Sequence, residues 1–146
     1  MRINRWWMAL LLCSACSEPV SGTLDVRNAA GVAFNFAPEE CFDGGEHGYW
    51  GVQFRDDKGR VVDIFKRDDV PHALVYAPGR LAFEVELGGC ELFEGRLERR
   101  AINGSGTMKG NLALECEDGE GRQLVGDLVF EDCGAYDDDG DGVDDD

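Results

Sequence analysis

Hydrophobic and polar residues alternate along most of this chain with a period of two. Leu24 and Val26 alternate with Thr23, Asp25 and Arg27, and Val32, Phe34 and Phe36 follow across the turn-forming Asn28-Ala29-Ala30-Gly31. Trp50, Val52 and Phe54 share one face of the next run, which ends at Asp56-Asp57-Lys58-Gly59. Val62 and Ile64 then share a face, with Val61 and Phe65 on the other, the pattern of a strand covered on both sides. Alternation over four to eight residues, bounded by Gly, Asn, Asp and Pro, predicts strands joined as hairpins.

The second half repeats the pattern. Arg67-Asp68-Asp69-Val70-Pro71 breaks the alternation, His72 to Tyr76 forms a short run, and Pro78-Gly79 ends it. Leu81, Phe83, Val85 and Leu87 alternate with Ala82, Glu84 and Glu86 before Gly88-Gly89-Cys90 turns the chain. Residues 91–101 also suit a helical turn, but the loop Asn103-Gly104-Ser105-Gly106 favours a strand entering a hairpin. Met108, Gly110, Leu112, Leu114 and Cys116 line one face of the next strand. Leu124, Gly126, Leu128 and Phe130 line its return, with Val125 and Val129 opposite. Residues 37–48, with Pro38, three glycines, Cys41 and His47, read as a loop. Eight or nine short strands over residues 23–134 predict an all-β fold, an antiparallel β-sandwich or small β-barrel.

The first residues depart from this pattern. Arg2 and Arg5 precede seven apolar residues, Trp6 to Leu12, and then Ser14, Ala15 and Cys16. The order basic, apolar, small matches a secretory signal, and the apolar run is far short of the ~20 residues a membrane span needs. The stretch resembles a bacterial lipoprotein signal peptide. Ser14, Ala15 and Cys16 fit its lipobox, and Cys13 stands where Leu is usual. The resemblance implies a signal helix over residues 1–15, acylation (palmitate or a like chain) of Cys16, and a tether over 16–22. It places the domain in the bacterial cell envelope, attached to the membrane through its N-terminal lipid. Ser17, rather than Asp, after the cysteine points to the outer membrane of a Gram-negative host.

Cysteine arithmetic supports that reading. Of six cysteines, cleavage removes Cys13 and acylation uses Cys16, leaving Cys41, Cys90, Cys116 and Cys133. An even number suits disulfides in an exported domain, whereas cleavage without acylation leaves five. If 91–101 and 107–116 form a hairpin, Cys90 and Cys116 lie at one end. Cys133 then lies over ten residues from Cys116 along the final hairpin, too far to bridge at ~3.3 Å per residue. The expected pairs are Cys90–Cys116 and Cys41–Cys133.

Charge excludes some partners. The chain carries 30 acidic and 14 basic residues, a net charge of −16. Phosphate backbones repel such a chain, so nucleic acid is excluded. Anionic lipid repels it too, so membrane attachment rests on the lipid anchor. Cations, basic proteins and neutral small ligands remain as partners.

Candidate chemistry is sparse. His47 with Glu46 and Asp43 reads as a solvated acidic loop more readily than a metal site, because zinc needs three or four well-placed ligands. The mature serines, Ser17, Ser21 and Ser105, lie in no nucleophile elbow. Tyr49 and Trp50, beside a Gly-rich loop, could line a ligand groove but read as core residues. Carboxylate pairs abound and single out no catalytic pair.

The tail, residues 135–146, holds the one motif. Asp137, Asp139, Asp141, Gly142, Val143 and Asp145 take positions 1, 3, 5, 6, 7 and 9 of a loop that resembles the calcium loops of EF-hands, dockerins and thrombospondin type 3 repeats. The resemblance implies Ca²⁺ as ligand, held weakly, since the bidentate acid of position 12 is missing from the residues present. The alternative is an acidic, solubilising tail. The expected function is therefore a lipid-anchored, non-enzymatic binding or structural module. The alternatives are a small envelope hydrolase using paired carboxylates and a weak calcium-dependent adhesion module.

Overall fold

The computed structural model describes residues 18–102, 105–117 and 119–134, without the side chains of 46, 47, 92, 100–102, 105 and 106. The signal stretch, Cys16 and the tail with its candidate calcium loop lie outside the described residues. Ten strands form two antiparallel five-stranded sheets that do not close into a barrel. The fold is an all-β sandwich. Among the described residues no helix is long and apolar enough to cross a membrane.

The first sheet holds β1 (Val20–Arg27), β2 (Ala33–Phe36), β8 (Leu92–Ile102), β9 (Ser105–Glu117) and β10 (Gln123–Cys133), in the order β2-β1-β10-β9-β8. The second holds β3 (Pro38–Asp43), β4 (Trp50–Asp56), β5 (Val61–Arg67), β6 (Val70–Ala77) and β7 (Arg80–Glu86), in chain order. Their inner faces carry the alternating apolar residues of the sequence. Leu24, Leu112, Leu124, Leu128 and Phe130 from one sheet meet Val52, Phe54, Val62 and Ile64 from the other, all buried. Phe54 and Phe130 meet edge to face across the layers, centroids 5.1 Å apart. That geometry suits the ring quadrupoles and adds about 1 kcal/mol to the area buried.

Two disulfides reinforce the sandwich. Cys41–Cys133 ties β3 of one sheet to β10 of the other, and Cys90–Cys116 ties the turn before β8 to β9. Leu92 is the register partner of Glu115, so Cys90 and Cys116 come together at one end of the β8–β9 ladder.

Four details differ from the sequence reading. Residues 37–48 are not all loop, since Pro38–Asp43 forms the edge strand β3, paired with β4. Its acidic outward residues, Glu39 and Glu40, disguise a strand whose inward residues are Pro38 and Cys41. β1 begins at Val20 rather than Thr23, because Val20 is buried and pairs with Phe130. Gly22 looks like turn chemistry, yet it lies inside the strand where a Cβ would stand 2.1 Å from the Asp127 carbonyl oxygen.

The break at 67–71 shrinks to Asp68 and Asp69, at φ 52° and 64°. Two positive φ values in a two-residue turn are the hairpin geometry that matches strand twist, and Asp tolerates them. Leu81 points outward, 52% exposed, rather than inward with Phe83. The β6–β7 register skips Ala82 between the pairs Val75–Phe83 and Tyr76–Leu81, so the bulge turns Ala82 toward the core instead.

Candidate functional site

The outer face of the second sheet is where polar and apolar chemistry converge. It is built on β5, the central strand, whose second apolar face was visible in the sequence as Val61 and Phe65. Asp63 lies between them, 6% exposed, opposite Gln53 on β4 and Leu74 on β6. Val61 pairs with Tyr76, and Phe65 with His72.

Tyr49 reaches this face through a single 3-10 turn, Gly44–His47. Asp43 caps the turn, its Oδ1 accepting from the Gly45 N–H at 2.7 Å and from Arg99 Nη2 at 2.6 Å. Gly48, at φ 79°, ends the turn in the left-handed region, and the Tyr49 N–H donates to the Gly44 carbonyl at 3.2 Å. The Tyr49 ring then lies directly on Gly44, where a Cβ would stand 2.0 Å from a ring carbon. The same ring packs on Phe65, centroids 5.7 Å apart, and its phenol lies within the field of the Asp63 carboxylate.

Electrostatics follow from that placement. Burial, and then the Asp63 carboxylate, pushes the Tyr49 phenol far above the usual tyrosine range. Burial, Asp63 and Glu84 raise the Tyr76 phenol in the same direction. Both rings are therefore neutral at physiological pH and lie in the field of one carboxylate.

Next to them, His72 stacks on Phe65, centroids 5.6 Å apart and rings inclined by 22°. Its Nδ1 lies 3.1 Å from Glu84 Oε1, close but not aligned as a hydrogen bond. The same oxygen accepts from Arg67 Nη1 at 2.9 Å, and the Arg67 guanidinium lies 5.3 Å from the Phe65 centroid.

Tyr49, Val61, Asp63, Phe65, Arg67 and Tyr76 line an open groove of about 840 Å³ running along β5 and β6, with His72 and Glu84 beside it. Lys66 and Arg67 stand at one end with Gly48 and Tyr49, and Gly59, Gly79 and Arg80 at the other. The Lys66 ammonium also covers Trp50, 5.0 Å from its ring centroid. Such contacts at exposed sites contribute about 0.5–1 kcal/mol each and hold the cations in place.

The sequence candidates distribute as follows. Tyr49 is a half-buried groove residue rather than a core residue. Trp50 packs at the margin of the core with one side on the groove. Asp43 is committed to Arg99 and to its turn, while the side chains of Glu46 and His47 lie outside the described residues. Among the described residues no group of three His, Cys, Asp or Glu could hold a metal. Among the described residues the buried acids are Asp43, Asp56 and Asp63. Asp56 is tied to the Arg60 side chain at 2.5 Å and to the backbone of its turn, so Asp63 is the buried carboxylate that lines the groove. Cys16 and the candidate calcium ligands Asp137, Asp139, Asp141, Val143 and Asp145 lie outside the described residues.

Comparison with known proteins finds no matching protein family, no similar curated protein and no similar solved structure.

Proposed function

We propose that this chain is a non-enzymatic binding module of the bacterial cell envelope, held at the membrane by acyl chains on Cys16. In this reading the ligand lies in the groove on the outer face of the β3–β7 sheet. The groove carries the proposal, because an open, largely apolar trench with a few convergent polar groups is the common form of a ligand site. A carboxylate hydrolase needs two acids facing one substrate bond. Among the described residues the groove offers one buried acid, Asp63, beside the Tyr49 phenol. That single acid supports binding over hydrolysis.

The test is a glycan and peptide array probed with the mature chain and with Leu74→Trp, which fills the floor opposite Asp63. Ligands retained by the wild type and lost by the variant support the reading. Identical profiles, with near-UV dichroism showing both chains folded, overturn it.

A further inference from the structure

The groove mouth and the groove floor ask different things of a ligand. Arg67, which also holds Glu84, and Arg80 stand around the mouth, in a chain whose net charge is −16. They fall at opposite ends. From Val61 to Arg67 β5 runs about 20 Å at ~3.3 Å per residue, with Arg80 beyond the Val61–Tyr76 end and Arg67 at the other. Between them lies Asp63, with the Gln53 amide and the phenols of Tyr49 and Tyr76 around it. Val61, Phe65 and Leu74 supply apolar surface beside these groups.

We propose that the groove takes a short acidic oligosaccharide, a run of hydroxylated rings that carry carboxylates. This rests on the groove being the binding surface. The cations at both ends complement the carboxylates, as guanidinium and ammonium groups do wherever carboxylates are recognised. The floor carboxylate repels a third acid but accepts hydroxyl hydrogen bonds, and the amide and phenols both donate and accept. The apolar positions pack against ring faces. A chain of plain carboxylates such as an acidic peptide sets charge against Asp63, and an uncharged sugar makes no use of Arg80 or of the exposed side of Arg67, whose other side holds Glu84. The acidic sugar answers both halves of the groove.

The experiment is isothermal calorimetry on the mature chain in neutral detergent, with trigalacturonate, maltotriose and hexa-aspartate as probes. Trigalacturonate is expected to bind at least about tenfold more tightly than the other two, and less tightly as salt rises from ~0.02 to ~0.2 M. Arg80→Ala and Arg67→Ala alter exposed side chains and leave the core intact, and each should weaken trigalacturonate about fivefold. Equal binding of maltotriose removes the charge argument, and equal binding of hexa-aspartate removes the hydroxyl argument. Absent binding of trigalacturonate, or unchanged affinity in both variants, also overturns the inference. Should it fail while the array still shows Leu74-dependent ligands of another class, the binding module stands and only its ligand class is wrong. Failure of both removes the groove as a site.

Discussion

Removing the two disulfides one at a time measures how much of the fold's stability comes from restricting the unfolded chain. Cys41–Cys133 closes a separation of 92 residues and Cys90–Cys116 one of 26, nested inside it. Loop-closure entropy assigns about 4.6 kcal/mol to the long loop alone and about 3.5 to the short one at 25 °C. Nesting changes both values, since the inner bond shortens the outer loop. Removing the outer bond with the inner intact then costs about 4.3 kcal/mol, removing the inner alone about 3.2, and removing both about 7.9. The last figure is comparable with the whole stability of a typical domain, ~5–15 kcal/mol.

The assay is guanidinium unfolding of Cys41→Ala/Cys133→Ala and Cys90→Ala/Cys116→Ala, followed by Trp50 fluorescence. The slope m should rise in both, because the freed unfolded chain exposes more surface. At about 4 °C per kcal/mol, the melting temperature should fall by ~17 °C in the first variant and ~13 °C in the second. Buried sulfur is lost from both pairs, so packing changes the absolute costs more than their order. An inner pair costing as much as the outer one, or an unchanged m, refutes the entropic account.

Asp56→Ala should destabilise the domain by about 3 kcal/mol in the same assay, because it leaves Arg60, whose side chain is 12% exposed, without its carboxylate. Stability should decline as pH rises above ~10, by at most about 1.4 kcal/mol per pH unit for each raised tyrosine. The sign follows from Tyr49 and Tyr76 keeping their protons in the fold when the unfolded chain has lost them, so their contribution is complete below pH ~10. Tyr49→Phe, titrated by chemical denaturation, should flatten that decline, and an unaltered slope contradicts the placement of the phenol. Calcium calorimetry on the full chain and on one ending at Tyr136 should show heat in the full chain alone, in the ~10⁻⁴–10⁻³ M affinity range. Equal heats would reduce the tail to a charged brush. Cys16→Ala should move the protein from the membrane to the soluble fraction, and persistent membrane association removes the proposed anchor.

The fold was legible where alternation reports burial directly. Leu112, Leu114, Leu124 and Leu128 alternate because one face of β9 and β10 meets the core, and Val129, on the other face, is 54% exposed. Apolar residues on both faces of 61–65 correctly marked β5 as central. β3 was not legible, because an edge strand takes its conformation from the partner it pairs with, and half of its own residues are acidic. The inversion of Leu81 was hidden because a bulge leaves no compositional trace. The groove was only half legible. Val61 and Phe65 signalled an apolar outer face, but Asp63 and Tyr76 reach it by cross-strand register and Tyr49 by a turn that Asp43 caps and Gly44 leaves room for. Single-chain patterning carries neither fact.

The position of Pro19 and Val20 bears on how anchoring and binding coexist. The Pro19 carbonyl accepts from the Glu131 N–H at 2.8 Å and lies 3.9 Å from Cys41 Sγ. The chain therefore enters the fold at the seam sealed by Cys41–Cys133, where the two sheets meet at β3, and not on the face that carries the groove. From Cys16 to Val20 four residues reach at most ~14 Å. The proposed lipid on Cys16 would hold the β3 seam close to the membrane surface, while the trench along β5 and β6 lies on a separate surface two strands away. Anchor and ligand need not compete, and a released Cys16→Ala chain should bind groove ligands with the affinity of the acylated one. A large difference between the two would mean that the membrane itself covers or completes the groove.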